Sequence, residues 1–395
     1  MRRRVRVRLS APESFLPHAR KLGLETYSCR PKIDSRLARR FAGSWDHWGK
    51  CEAGRLNWGR PAALDLPGRF DDLMTAVRDA DLFIYTSTQF LGNLIPEKTG
   101  IPSMVLAISP THVALRPENP KGQKPSVSEE YQPLLHPVDG EPLVHILDHI
   151  RQFREKIGLP GEPADSSAVL SIPAGSDVIA AISRHLCDPD RARFPNLDFT
   201  GFWFHERPEW NNWRPAPSLE RFVEKGAPPL VLTFSSLPLS DPESVLRIHA
   251  RTAMLLDRKL VILSGWAGFQ KSNIPLECRE HMYISGDLPH RWLFDRSAAV
   301  IHHGGIGTLA QAVRCGKPML IEPYGNDQFF NASRAIKLGI GAAANPRWMI
   351  PEALAELIEN KVMNPETVKR VRNLADAMST DPGVEYVADL VMSRL

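Results

Sequence analysis

The chain has few cysteines and no long apolar run. Its five cysteines are odd in number and widely separated, and no CxxC pair or Cys/His cluster has metal-ligand spacing. This excludes a disulfide framework and predicts a reducing, cytoplasmic setting with no metal site. No stretch of about 18 apolar residues occurs, so we expect no membrane-spanning helix. The basic start also lacks the apolar core of a signal peptide.

A strong excess of one charge is also missing. Lysine and arginine number 49 against 45 acidic residues, which gives a net charge of +4. So small an excess is not the footprint of a nucleic-acid-binding protein, and no such partner is expected. The start does concentrate Arg2, Arg3, Arg4, Arg6 and Arg8, which fits either peripheral contact with an anionic membrane or a solvated strand edge. The sequence does not reveal the oligomeric state.

The chain does contain a repeated strand–helix pattern. Short β-branched or aromatic runs alternate with segments of helical length, which is typical of parallel strands joined by helices. The predicted strands are Arg4–Leu9, Asp81–Tyr85, Ser103–Ile108, Asp177–Ala181, Pro229–Phe234, Leu260–Ser264, His281–Ile284, Ala298–Ile301 and Pro318–Glu322. We therefore predict an α/β fold with two doubly wound domains that face each other across a cleft.

Composition suggests where these domains begin and end. Residues 1–205 form the predicted first domain, 206–228 a linker rich in proline and tryptophan, and 229–380 the second domain. Residues 381–395 are predicted to form a helix that packs back on the first domain. Polar, proline-rich residues 116–145 predict a mobile surface loop, and residues 149–158 predict a helix that Gly158 and Pro160 end.

A glycine-rich turn in the second domain carries the clearest chemistry. A buried strand runs into this turn and then into an amphipathic helix that begins near Ile306. Glycine lets a backbone approach a ligand closely, and the first amides of a helix attract anions. The turn therefore predicts a diphosphate site that needs no metal, unless it serves only helix–strand packing. The residues of the turn are His302, His303, Gly304, Gly305, Gly307 and Thr308. The histidines can donate to phosphate oxygens, and Thr308 can cap the helix or bond a phosphate.

A carboxylate and an amide follow the next predicted strand. Asp327 and Gln328 are adjacent, and such groups bind the hydroxyls of a sugar. The alternative for Asp327 is a helix N-cap. Because open α/β sheets bind ligands at the carboxyl ends of their strands, one nucleotide-sugar site could use both this pair and the glycine-rich turn.

These motifs resemble a known family. The run from His302 to Thr308, then Gly316 and Pro318, then Asp327 with Gln328, are similar in order and spacing to the donor signature of family 1 GT-B glycosyltransferases. The pattern looks most like that of sterol, bacterial antibiotic and rhamnolipid glycosyltransferases, and residues 200–204, 264–268 and 288–294 agree with the sterol type. The resemblance implies two Rossmann-like domains. It also implies metal-independent, inverting transfer of a hexose from a UDP- or dTDP-sugar, a co-substrate rather than a cofactor, to a hydroxyl of an apolar acceptor such as a sterol, lipid or polyketide.

Carried over to this sequence, the resemblance assigns the donor site. It places His302 and the amides of residues 305–308 at the diphosphate, and Asp327 with Gln328 at the sugar. Further donor-binding residues are Ser235 and Ser236 near the phosphates, the segment from Leu288 to Trp292 at the base of the nucleotide, and Trp266, His303 and Gly304. The family has glycine where Ser235 stands, so this loop is expected to approach the donor less closely.

The first domain departs from the family. Its members begin with a strand and a glycine-rich loop that carries the catalytic base, and no residue here matches that base. Asp46, His47 and His112 can accept a proton near neutral pH, although each also fits a solvated or capping role. Trp45, Trp48, Trp58 and Phe90 fit either an apolar acceptor pocket or ordinary packing. The alternatives are a non-catalytic GT-B-like partner protein and a nucleotide-sugar epimerase, although no acid/base set for an epimerase is visible.

Overall fold

The structure is a computed structural model that covers most of the chain. The described residues are 5–30, 65–89, 91–115, 141–160, 172–205, 207, 210–239, 241–325, 327–345 and 349–395, with the backbone alone for 141–148. The expectations for Trp45, Asp46, His47, Trp48, Trp58, Phe90 and residues 116–140 lie outside this part of the chain. We call residues 5–205 the N-terminal lobe and residues 217–378 the C-terminal lobe.

Parallel strands form the N-terminal lobe. β1 (Arg8–Ala11) and β2 (Glu25–Ser28) make a two-stranded sheet. A four-stranded sheet contains β3 (Phe83–Thr86), β4 (Ser103–Ala107), β5 (Val178–Ala180) and β6 (Leu197–Phe199) in that spatial order. Val105 and Ile179 in its central strands are buried, as expected for a parallel sheet covered on both faces.

The helices of this lobe are α1 (Leu16–Lys21), α2 (Leu66–Ala76), α3 (Leu94–Thr99) and α4 (Glu141–Lys156). Asp65 caps α2, because its carboxylate accepts a hydrogen bond of 3.2 Å from the Gly68 amide. Gly158 follows α4 in the left-handed region, with φ of +76°, as the predicted helix end requires. The loop predicted for 116–145 was wrong for residues 141–145, because the apolar spacing of the helix begins directly after the proline-rich run.

The C-terminal lobe contains a six-stranded parallel sheet. Its strands are β7 (Leu230–Thr233), β8 (Leu260–Leu263), β9 (Met282–Ser285), β10 (Ala299–His302), β11 (Met319–Ile321) and β12 (Gly341–Ala343). Their spatial order is β12-β11-β10-β7-β8-β9. The chain runs outward from β7 to β9 and then returns to the other side of β7 as β10. This reversal creates a topological switch point between β7 and β10, where open sheets bind ligands.

The remaining helices are α5 (Pro217–Glu224), α6 (Pro242–Leu255), α7 (His290–Asp295), α8 (Ile306–Arg314), α9 (Gln328–Leu338), α10 (Pro351–Leu357), α11 (Pro365–Met378) and α12 (Gly383–Met392). Asp241 caps α6 by accepting from the Ser244 amide at 2.9 Å, and Asn364 caps α11 through the Thr367 amide at 2.9 Å. A proline in the first turn of each presets the helical φ. Among the described residues, no helix has the length and apolar character to cross a membrane.

Helices cover both faces of this sheet. Val300 of β10 belongs to an apolar cluster with Leu309 of α8, whereas its neighbour Ile301 belongs to a second cluster with Ala250 of α6. Successive residues of a strand point to opposite faces, so both faces are buried. The helix–sheet–helix arrangement confirms the predicted doubly wound α/β architecture.

Two segments outside the sheets pack against the lobes. Leu219 and Val223 of α5, in the interval predicted as a linker, are buried in the core of the C-terminal lobe. Near the chain end, Val387 of α12 packs on Met104 of β4 and Ile179 of β5. The last helix therefore covers a face of the N-terminal sheet.

Candidate active site

A cleft opens at the switch point of the C-terminal sheet. Its volume is about 640 Å³, within the ~300–1,000 Å³ usual for small-molecule sites. The lining comes from the loops after β7, β8, β9 and β10, from α7 and α8, and from the segment before α5. The lining residues are Phe204, His205, Arg207, Trp210, Thr233, Ser235, Ser236, Leu263, Ser264, Gly265, Trp266, Gly286, Asp287, His290, Arg291, Gly307 and Gln311. The structure thus brings predicted residues Ser235, Ser236, Trp266 and Gly307 to one cleft.

The loops after β7 and β8 touch each other in this cleft. Ser235 adopts a left-handed φ of +49°, which glycine adopts more easily than serine does. Its carbonyl oxygen accepts a hydrogen bond of 2.8 Å from the Trp266 amide. A Cβ on Gly265 would stand 2.3 Å from that oxygen. A residue without a side chain is therefore required at Gly265 for the loops to meet.

Helix α8 begins at the cleft, as the glycine-rich turn predicts. Gly305 occupies the N-cap position, and Ile306 and Gly307 form the start of the first turn. A Cβ on Gly307 would meet no atom within 4 Å, so the backbone there faces open space. The first amides of a helix have no partner within it and attract anions. Thr308 is buried and Gly305 holds the cap position, so Thr308 does not cap the helix.

The two histidines before this turn are buried. His302 has no exposed surface, and its Nδ1 accepts a hydrogen bond of 3.1 Å from the Gly304 amide. Burial lowers the pKa of His302 to about 3 and that of His303 to about 4, so both imidazoles are neutral at neutral pH. Neither lines the cleft. His302 ends the central strand β10 and His303 follows it, and their donation to a phosphate stays a prediction.

Asp327 and Gln328 already have partners in the protein. Asp327 Oδ2 accepts from the Ser109 hydroxyl of the N-terminal lobe at 2.8 Å and from the Asn331 amide at 3.2 Å. Gln328 Oε1 accepts from the Tyr324 amide at 2.8 Å and so fixes the preceding loop. Asn331 also donates to the Gly304 carbonyl at 2.9 Å, which connects this pair to the start of α8. Asp327 therefore lies beside the helix start, at the contact between the lobes.

The segment from Leu288 to Trp292 is predicted to meet the base of the nucleotide. Some of its side chains lie in the core and others line the cleft. Leu288 is 1% exposed and belongs to the core of the C-terminal lobe. Trp292 packs edge-on against Trp213, with ring centroids 5.2 Å apart. The side chains of Leu288 and Trp292 are outside the cleft lining, and their role at the base of the nucleotide stays a prediction. His290 and Arg291 line the cleft instead, because a helical turn points adjacent residues in different directions.

Sequence reasoning also missed a polar group on the segment before α5. His205, Arg207 and Trp210 line the cleft, and the Arg207 guanidinium lies 4.8 Å from the centre of the Trp210 ring. Arg207 also pairs with Asp287, which follows β9. The one available signal was an arginine close to tryptophan in a stretch otherwise read as a linker.

A second, apolar cavity adjoins the cleft. Its volume is about 250 Å³ and it is lined by Leu106, Ile108, Ala181, Phe202, Trp203, Phe204, Gly307 and Ala310. Residues of both lobes thus contribute to it. Gly307 and Phe204 line this cavity and the cleft alike. The two spaces therefore meet at the start of α8.

Among the predicted proton acceptors, His112 is the one that the structure describes. It lies in a single helical turn after β4, and its Nδ1 is 2.6 Å from the Ser87 hydroxyl. Burial lowers the pKa of His112, and the charge of Asp327 opposes that shift. His112 thus lies where the two lobes meet.

The described part of the basic start is paired within the protein. Arg6 Nε lies 2.8 Å from Glu25 Oε2, and Arg8 Nη1 donates to the Ala76 carbonyl at 3.4 Å. These contacts agree with the alternative in which the arginines of the start belong to a solvated strand edge. Within the described ranges, no group of three or more His, Cys, Asp or Glu side chains is arranged to hold a metal ion.

Comparisons with known proteins agree with this geometry. Residues 253–393 match the family described as erythromycin biosynthesis protein CIII-like, C-terminal domain. Sterol 3-beta-glucosyltransferase UGT80B1 of Arabidopsis thaliana is 31% identical over 198 residues, which are 49% of this chain and 31% of that protein. O-mycaminosyltylonolide 6-deoxyallosyltransferase of Streptomyces fradiae is 35% identical over 197 residues, 49% of this chain and 43% of that protein. The matches thus span less than half of either relative.

A solved structure shares the fold over nearly the whole chain. The glycosyltransferase VinC, in complex with dTDP, superposes with a TM-score of 0.59 at 16% identity and covers 98% of this chain and 92% of its own. The superposition and the order of the strands show that the chain has the GT-B fold. Residues 253–393 carry the EryCIII-like domain, and about half of the chain is similar to the two glycosyltransferases named above, in agreement with the resemblance to family 1. The predicted fold and the family resemblance are confirmed.

Proposed function

We propose that the protein transfers a hexose from a nucleoside diphosphate sugar to a hydroxyl of an apolar acceptor, with inversion at the anomeric carbon. The observation that carries this proposal is the position of Gly307, which lines both the polar cleft and the apolar cavity. A donor in the first space and an acceptor in the second would therefore meet at the start of α8.

The cleft suits a nucleoside diphosphate in charge and in shape. The first amides of α8 and the guanidinium groups of Arg207 and Arg291 offer positive potential to the phosphates. The Trp266 side chain is 39% exposed at the same cleft and gives a flat face on which a base can stack. VinC, which shares the fold, is seen with dTDP. In this proposal the α8 amides and the arginines take the role that the sequence suggested for the histidines.

The hexose would lie toward Asp327. This carboxylate is connected through Asn331 to the Gly304 carbonyl, directly before the α8 start. A sugar hydroxyl would take the place of the Ser109 hydroxyl on Asp327 Oδ2. Gln328 would act indirectly, because its side-chain oxygen holds the loop at Tyr324.

The apolar cavity would receive the acceptor. Its aromatic residues Phe202, Trp203 and Phe204 suit a fused-ring or macrocyclic compound. By their names, the relatives act on sterols and on O-mycaminosyltylonolide, and both are largely apolar molecules with hydroxyls. The acceptor oxygen would attack the anomeric carbon while the bond to the diphosphate breaks. The helix start would stabilise the negative charge of the leaving diphosphate.

Calorimetry and turnover assays with the full chain test this proposal. We expect UDP or dTDP to bind, and UDP-glucose or dTDP-glucose to glycosylate cholesterol or a macrolactone, detected by mass spectrometry. Arg291→Ala should weaken nucleotide binding by a factor of ~10–100, because it removes one charge-assisted hydrogen bond of ~1.5–3 kcal/mol. Arg279→Ala, an exposed change before β9, is the matched control. The proposal fails if the nucleotides do not bind at millimolar concentration, or if they bind and no sugar is ever transferred.

A further inference from the structure

The ends of two neighbouring strands in the N-terminal lobe carry an unassigned polar cluster. Ser87 directly follows β3, and Ser109 and His112 follow β4. The Ser87 amide donates to the Leu106 carbonyl at 2.9 Å, which continues the pairing of these strands. The cluster therefore stands at the carboxyl edge of the sheet, the edge that binds ligands in open α/β folds.

This cluster faces the proposed sugar site of the other lobe. Ser109 donates to Asp327 Oδ2 at 2.8 Å, and His112 lies close enough to feel the Asp327 charge. Asp327 in turn is connected through Asn331 to the start of α8. His112 thus lies on the N-terminal side of the contact at Asp327, the residue that would bind the hexose in the proposed function.

One ring nitrogen of His112 is held in place, and the other has no partner in the part of the chain that the structure describes. Nδ1 lies 2.6 Å from Ser87 Oγ, and the ring is half-buried. Among the residues that the structure describes, Nε2 has no hydrogen-bond partner. When Nδ1–H donates to Ser87, Nε2 carries the lone pair and can accept a proton.

The electrostatic surroundings favour a neutral imidazole that can accept a charge. Burial lowers the pKa of His112, so the ring is unprotonated at neutral pH. Asp327 is the titratable group of the described residues that faces it, and its carboxylate stabilises the imidazolium once a proton has been taken. A general base needs this combination.

We propose that His112 Nε2 takes the proton of the acceptor hydroxyl and that Ser87 positions the imidazole. As the O–H proton moves to Nε2, the oxygen forms its bond to the anomeric carbon. The bond from that carbon to the diphosphate oxygen breaks, and its electron pair leaves with the diphosphate. The imidazolium then returns its proton to solvent. This inference rests on the proposed glycosyl transfer and assigns its proton acceptor.

The test separates binding from chemistry. His112→Gln keeps an amide that can bond Ser87 but cannot take a proton. We expect kcat for transfer to fall by a factor of ~10²–10⁴, the usual contribution of a general base. The Kd for UDP or dTDP should stay within twofold, and this also shows that the variant folds. His281→Gln, at the amino end of β9, is the matched control and should leave kcat unchanged.

The pH profile tests the positioning role of Ser87. The wild-type plot of kcat against pH should fall on its acidic side as His112 becomes protonated, and this limb should vanish in His112→Gln. Ser87→Ala should move the apparent pKa of that limb and lower kcat, while KM and nucleotide Kd hold. If Ser87 had only a structural role, Ser87→Ala would leave the apparent pKa of the acidic limb unchanged.

Two results would overturn the inference without touching the proposed function. One is that the wild-type chain transfers the sugar and that the kcat of His112→Gln is within threefold of the wild-type value. The other is loss of transfer in His205→Gln but not in His112→Gln, because His205 lines the cleft and lies 3.1 Å from His18, ring nitrogen to ring nitrogen. Absence of transfer in the wild-type chain would instead refute the proposed function itself.

Discussion

Replacing Gly307 by alanine should have opposite effects on the stability of the protein and on its affinity for the nucleotide. It is the second residue of α8, and a Cβ added there would meet no atom within 4 Å. Gly307→Ala should raise the free energy of unfolding by ~0.5–1 kcal/mol, because alanine favours the helix over glycine by about that amount. The same methyl group would stand where a phosphate must approach the backbone. We therefore expect the affinity for UDP or dTDP to fall about tenfold, roughly 1.4 kcal/mol.

Another glycine that lines the cleft, Gly286, provides the control for Gly307→Ala. Gly286 also lines the cleft, and a Cβ there also meets nothing within 4 Å, but it lies outside any helix. Gly286→Ala should leave stability and affinity close to those of the wild type. Urea unfolding and calorimetry measure the two effects separately. If Gly307→Ala bound nucleotide as tightly as the wild type, no ligand would approach the start of α8.

The residues of the site differ in how far the sequence could predict them. Gly305 and Gly307 were predictable because a strand, a glycine turn and a helix are contiguous in the chain. His205 and Arg207 reach the same cleft from a segment almost 100 residues earlier, and only the packed fold brings them there. The burial of Leu288 was not predictable, because a local motif does not show which way a side chain just before a helix points.

At the scale of elements, a buried pair joins α6 to the end of β11. His249 Nε2 lies 3.0 Å from Glu322 Oε1, and neither side chain has exposed surface. His249→Leu would leave the Glu322 carboxyl buried without this partner, and we expect a loss of about 3 kcal/mol in the free energy of unfolding. Urea unfolding with an unchanged m-value measures this loss.

Two further variants show whether the cost arises from the pair. The double variant His249→Leu, Glu322→Leu should be more stable than His249→Leu alone, since it removes the unpaired buried group. Glu366→Gln breaks an exposed pair with Arg370 on α11 and should change little, because exposed ion pairs are screened by water. Equal losses in His249→Leu and in the double variant would argue for a cavity rather than for the lost partner.

The strands show what local pattern can and cannot reveal. Each predicted strand overlaps an observed one, because buried parallel strands read as continuous apolar runs. The prediction missed β2, β6 and β12. β12 is Gly-Ala-Ala and β6 is Leu-Asp-Phe, and neither carries the β-branched run that marks a strand. Such strands form because the sheet beside them offers hydrogen bonds, which the local sequence does not encode.

At the scale of the whole molecule, the lobes are connected by several kinds of contact. Arg334 of α9 donates from Nε to the Leu186 carbonyl at 2.7 Å and lies 3.1 Å from Asp188. Leu186 of the N-terminal lobe is itself part of the C-terminal core. These contacts hold the N-terminal lobe, which carries His112, against the C-terminal lobe, which carries the proposed sugar site. The proposed transfer would thus depend on the lobe contact as well as on the cleft.

Buried histidines make the stability of the molecule depend on pH. His302 and His303 have pKa values of about 3 and about 4 in the folded protein, against ~6.5 in an unfolded chain. Between these values the unfolded chain binds more protons, so the free energy of unfolding falls as pH decreases from about 6.5. At pH 5 each imidazole accounts for a loss of about 2 kcal/mol, at ~1.36 kcal/mol per pH unit. His303→Asn should reduce the slope between pH 6.5 and 5 by about one proton, measured by urea unfolding at several pH values. A wild-type stability that stays level from pH 7 to 5 would mean that these imidazoles are not buried and neutral.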